Sequence, residues 1–151
     1  MIKHQERERV LKTALTLVLG LFLLAGCGSQ QAETMVLLDE KISGVKISKS
    51  KGFGGMNEDT LLSLKDKESL KIMEKAIATA IKQPGKVDVS EPDYDVMVEY
   101  ESTEGELPTH GLHLWLGKEN EKSMFMYVTD DSVYLTSVEM TKQLRELLLT
   151  E

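Results

Sequence analysis

The chain has 151 residues, 28% of them charged, with a formal net charge of −7 and a single cysteine. That length fits one domain with one core, the acidic balance excludes nucleic acid as a partner, since phosphate binding needs clustered positive charge, and a lone cysteine excludes an internal disulfide. The acidity is uneven: 87–117 has no Lys or Arg but holds Asp88, Glu91, Asp93, Asp95, Glu99, Glu101, Glu104 and Glu106.

At the start, Lys3, Arg7, Arg9 and Lys12 precede twelve uncharged residues, Thr13–Leu24, and then Ala25, Gly26 and Cys27. A basic head, an apolar middle and small residues at a cut site are the three parts of an export signal, and the apolar stretch is shorter than the roughly 20 residues that span a bilayer. Leu24-Ala25-Gly26-Cys27 resembles the lipobox of bacterial lipoproteins. The resemblance implies cleavage between Gly26 and Cys27 and a diacylglyceryl group on the Cys27 sulfur, with acylation of the freed amine left open. Two acyl chains anchor stably where one is marginal. Residues 1–26 are therefore expected to be a signal peptide, 27–35 a lipidated cysteine and flexible tether, and 36–151 a single domain on the extracytoplasmic face of the cell membrane. The first 26 residues hold four basic and two acidic side chains, so the remainder carries −9.

Within the domain, Lys41–Ser50 mixes β-branched residues with Ser and Lys and ends at Gly52-Phe53-Gly54-Gly55, which predicts a strand and a loop. Leu61–Leu64 is a shorter strand candidate. Asp66 offers an N-cap, and Leu70, Met73, Ile77, Ala80 and Ile81 recur at helical spacing, predicting a helix from about Lys67 to Lys82 that Pro84 and Gly85 end. The period then drops to two. Tyr94–Tyr100, Leu112–Leu116 and Ser123–Val128 read as strands of an antiparallel meander, and Asp130-Asp131 turns the chain into a fourth at Val133–Leu135. Thr136 and Glu139 have capping-box spacing before a final helix with Val138, Leu144, Leu147 and Leu148 on its buried stripe. The fold class expected is α+β, a two-layer sandwich of about five antiparallel strands with two helices on one face.

Chemistry is thinly marked. His110 and His113 are three apart, so on a strand they point to opposite faces and do not converge on a metal. The Asp88–Asp95 run lacks the central glycine and terminal glutamate of a calcium loop, and the Gly52–Gly55 run lacks a following Lys-Ser/Thr and does not open onto a helix, as a phosphate cradle requires. There is no G-x-S-x-G elbow, no H-E-x-x-H helix and no free thiol. No metal, cofactor or catalytic residue is assigned. With Leu112, Leu114 and Leu116 toward the helices, His113, Trp115 and neighbouring Met97 face outward, and together with Phe53 at the loop tip they make a candidate binding surface. A long loop, or the segment Met35–Leu38, is the alternative occupant of that face.

Lys82-Gln83-Pro84-Gly85, Glu91-Pro92-Asp93-Tyr94-Asp95 and Leu112-His113-Leu114-Trp115-Leu116 resemble the YhfM-like small lipoproteins of Gram-positive spore-forming bacteria. The resemblance covers the chain from about Lys41 onward and implies a lipid anchor in the outer leaflet of the cytoplasmic membrane, with no activity to carry over. The function expected is a non-enzymatic binding or accessory module for a protein, peptide or envelope partner. Two alternatives stand beside it: a regulatory or inhibitory partner of a membrane protein, and a small hydrolase or metal-dependent enzyme using His110, His113 and the Glu101–Glu106 carboxylates.

Overall fold

The computed structural model describes Arg7, 31–103, 105 and 108–149. Cys27, Gly26 and the rest of the expected signal lie outside the described residues, apart from Arg7. Ala32 begins a compact unit distinct from residues 1–31. Met35, expected in the tether, is instead 2% exposed and belongs to the core.

Among the described residues, seven strands and two helices follow in the order β1 (Ile42–Lys49), β2 (Thr60–Leu64), α1 (Lys67–Ala78), β3 (Ile81–Lys82), β4 (Tyr94–Tyr100), β5 (His110–Trp115), β6 (Met124–Tyr127), β7 (Val133–Leu135) and α2 (Val138–Leu149). They form one sheet, ordered β2-β1-β4-β5-β6-β7-β3, in which every neighbouring pair is antiparallel. The α+β class with two helices on one face is as expected, with seven strands in place of about five.

The main core lies between the helices and one sheet face. Val45, Ile47, Val96, Val98, Leu112, Leu114 and Phe125 pack against Met73, Ala76 and Ile77 of α1 and Met140 and Leu144 of α2, all buried. Full burial of each large apolar side chain contributes roughly 1.5–3 kcal/mol. Asp66 caps α1 by accepting the Ser69 backbone N–H at 2.9 Å. The helix stops at Ala78, short of the expected Lys82. The next residues are captured by two sheet partners: Ile81 and Lys82 pair with Leu135 and Tyr134, and Thr34 bridges Ile81 on the other side. The cap of α2 also shifts by one residue. Ser137 Oγ accepts the Met140 N–H, while the buried hydroxyl of Thr136 has no partner among the described residues.

The strand order dictates what covers the second face. β3 lies at one edge beside β7, and β4 lies two strands from the other edge. The helices occupy the inner face, so the connection 83–93 reaches β4 across the outer face of β7, β6 and β5. It is secured there by the Trp115 Nε1–H donating to the Ser90 carbonyl at 2.9 Å and by the Leu116 N–H donating to Asp93 Oδ2 at 2.9 Å. Trp115, Met126 and Val133, with Val87, Val89 and Met124, form a second small core under this crossing.

The open face expected around His113 and Trp115 is therefore corrected: they are 2% and 6% exposed. Met97 is half-buried and Phe53 is 53% exposed. Met35–Leu38 packs instead on the inner face, where Tyr127 Oη accepts the Val36 N–H and donates to the Val36 carbonyl, each at 2.7 Å.

Candidate functional site: the His113 cleft

Alternation along β4 and β5 places Asp95 and His113 on the outer face, and the register sets them directly opposite, with Ser48 on the far side of Asp95 and Met126 beyond His113. Side chains directly opposite in a ladder are close enough to interact. His113 Nδ1 donates to Asp95 Oδ1 at 2.8 Å, with both side chains almost wholly buried. The other carboxylate oxygen accepts the Asn57 backbone N–H at 2.8 Å, and Ser48 Oγ donates to the Asn57 carbonyl. Burying a carboxylate is tolerated only when its oxygens are satisfied in this way.

A donor at Nδ1 leaves Nε2 of neutral imidazole as an acceptor. No hydrogen-bond partner for Nε2 is found among the described residues, and the ring lines a cleft of about 690 Å³. Val87, Val89, Met126 and Val128 supply apolar walls, and Lys86, Asp88, Asp130 and Asp131 stand on the cleft lining. Asp130 is held below the usual carboxylate range by hydrogen bonds from Ser132, whose backbone N–H donates at 2.9 Å. Lys86 approaches Asp131 only at 3.8 Å, with both largely exposed, so the pair contributes little.

Phe53 overhangs the site, 5.6 Å from the His113 ring edge-on and 6.0 Å from Trp115 between centroids. It sits between Gly52 and Gly54, whose φ angles of 99° and 96° only glycine adopts readily. The loop backbone can therefore fold back over the sheet and leave the phenyl ring half in solvent.

Of the residues singled out in the sequence, Phe53 and His113 meet at this cleft, Trp115 supports it from below, and Met97 lies further along β4 opposite Gly111. His110 faces the inner side, where Tyr100 Oη donates to its Nδ1 at 2.6 Å and burial pushes its pKa down. The two histidines are thus not brought together. Glu101 pairs with Lys41 at 2.6 Å, and Glu104 and Glu106 lie outside the described residues. Among the described residues there is no cluster of three or more His, Cys, Asp or Glu side chains able to hold a metal. No helix among them is long and apolar enough to cross a membrane. Asp95, Asn57 and the Val87–Val89 wall were missed by sequence reasoning. Alternation places Asp95 and His113 on one face, but nothing local sets them opposite each other.

The fold and cleft define a small α+β domain with an antiparallel sheet, helices on one face and a loop-roofed pocket on the other. Residues 39–151 match the model of the family described as YhfM protein, and the chain belongs to that family. No curated protein matches the sequence. Among solved structures it is similar to a thioesterase-like protein from Clostridium sporogenes, at 16% identity and a TM-score of 0.55, over 77% of this chain and 100% of that one. At that identity the likeness is one of fold.

Proposed function

We propose that this YhfM-family chain is a cell-surface lipoprotein, held by acylated Cys27 in the outer leaflet of the cytoplasmic membrane, whose domain is a non-enzymatic binding module. The ligand enters the cleft between the Phe53 loop and the Val87–Val89 wall. One observation carries this reading: a buried imidazole, oriented by Asp95, lines a cleft with apolar walls and has an Nε2 unpaired among the described residues. Concave apolar sites with a few convergent polar groups are where small ligands bind. Native mass spectrometry of the full chain, purified from its own membranes in mild detergent, tests the proposal. Wild-type protein should retain a small molecule that Val89→Trp, which fills the cleft, loses. Equal retention by both contradicts the site, and a bare wild-type protein whose Met126 methyl signal ignores a fragment mixture contradicts the function.

A carboxylate-oriented imidazole is also the arrangement of a general base, and this one observation favours a hydrolase as the second reading. The nucleophile would be water or the hydroxyl of Thr129, since the described residues that line the cleft include no serine or cysteine. Hydrolysis of a short-chain acyl thioester, abolished by His113→Ala, would establish it. Identical rates in the two proteins would remove it.

A further inference from the structure

Resting on that cleft reading, we propose that the ligand is an organic cation, a primary ammonium or guanidinium on an aliphatic stem, which donates to Nε2 of His113 under the Phe53 ring. Four features of the same pocket require this chemistry together. The floor presents an acceptor: Nδ1–H of the neutral ring donates to Asp95, which leaves Nε2 to accept. A carboxylate or phosphate ligand would set acceptor against acceptor, with the Asp95 carboxylate buried directly behind the ring.

The lining adds charge of the same sign. Asp88, Asp130 and Asp131 stand against Lys86 alone, giving the cleft a net charge of −2 from these four side chains. Phe53 supplies the third feature, since an aromatic face with a negative quadrupole attracts cations and this ring is 53% exposed. The fourth is the set of walls, Val87, Val89, Met126 and Val128, which suit a methylene stem while the charged head reaches polar partners. An acidic cluster alone would attract only a diffuse ion atmosphere. The buried acceptor gives the cation a defined seat.

The same chemistry arises from a free alkyl diamine or from the side chain of a lysine or arginine in a peptide, and the test separates them. The full chain in detergent micelles is titrated with cadaverine, with Nα-acetyl-lysine methylamide, with its neutral isostere Nα-acetyl-norleucine methylamide, and with hexanoate. The Met126 methyl resonance and Trp115 fluorescence report occupancy. At least one amine should saturate both signals at a concentration about tenfold below the norleucine compound, the difference expected for one charge-assisted hydrogen bond. Stronger binding of the lysine compound than of cadaverine identifies a peptide source, and the reverse a free amine; either outcome supports the proposal.

Asp88→Asn and Phe53→Leu change exposed side chains and leave the cores intact; each should weaken the amine by about two- to fivefold. The norleucine compound should respond to Phe53→Leu alone. Norleucine or hexanoate binding as tightly as the amines overturns the cationic ligand while leaving the cleft as a binding site. Silence from all four compounds overturns both.

Discussion

Asp95 and Asn57, 38 positions apart in sequence, are joined by a 2.8 Å hydrogen bond from the Asn57 backbone N–H to Asp95 Oδ2. The remaining oxygen of that carboxylate holds His113. A single buried side chain therefore sets both the floor of the cleft and the loop that carries Phe53. Asp95→Ala should cost about 3 kcal/mol, because it strands one backbone and one imidazole donor in a buried site. Urea denaturation measures the loss, and hydrogen exchange locates it: the Asn57 amide should exchange nearly freely in the variant.

His110 makes stability pH-dependent. Burial lowers its pKa from the ordinary value of 6.5, so the unfolded chain binds the proton more readily than the folded one. The stabilisation is complete above pH 6.5 and is lost as pH falls from there through the depressed folded value. Protonation also turns Nδ1 from acceptor to donor toward Tyr100, whose oxygen already receives the Leu38 N–H at 3.4 Å. Unfolding measured at pH 7.5 and pH 5.5 should show a smaller decrease in His110→Gln than in wild type. An identical decrease in both would remove His110 as the source.

Two glycines should respond oppositely to a methyl group. A Cβ on Gly117 would lie 2.6 Å from the Lys122 carbonyl oxygen, and backbone atoms in the β5–β6 connection cannot swing aside. Gly117→Ala should cost about 2 kcal/mol, within the range for overpacking. Gly55 has ordinary φ, and a methyl group there would meet nothing within 4 Å, so Gly55→Ala should be neutral or stabilising by up to about 1 kcal/mol. Thermal melts of the two variants against wild type check both.

The start of α2 offers a matched pair. Ser137→Ala removes the hydroxyl that accepts the Met140 N–H and should cost about 1 kcal/mol. The neighbouring Thr136 buries a hydroxyl with no partner among the described residues, so Thr136→Val keeps the shape, removes an unpaired dipole and should be neutral or stabilising by about 1 kcal/mol. Guanidinium titrations of the two should shift in opposite directions, or leave Thr136→Val unmoved.

Local signals carried much of this fold. The Asp66 cap, the period-two runs of β4 and β5 and the turn before β7 each lie within a few residues of what they specify. β3 was hidden because Ile81 continues the helical spacing of α1, and only its pairing with Leu135 and Thr34 makes it a strand. The face of His113 and Trp115 was legible from alternation, whereas its roof was not. That roof follows from β3 and β4 lying apart in the sheet, a fact of topology with no local mark. The Asp95–His113 pair was hidden for a related reason: nine residues separate β4 from β5, too many for a turn type to fix the register.

The most direct test of the cleft is the protonation pattern of His113, read by ¹⁵N NMR on the full chain with histidine nitrogens labelled, at neutral pH and assigned with His113→Gln. A proton on Nδ1 and a bare Nε2 that shifts on addition of an alkylammonium ligand is the predicted result. A proton resident on Nε2, or an Nε2 signal indifferent to every ligand that enters the cleft, would contradict it.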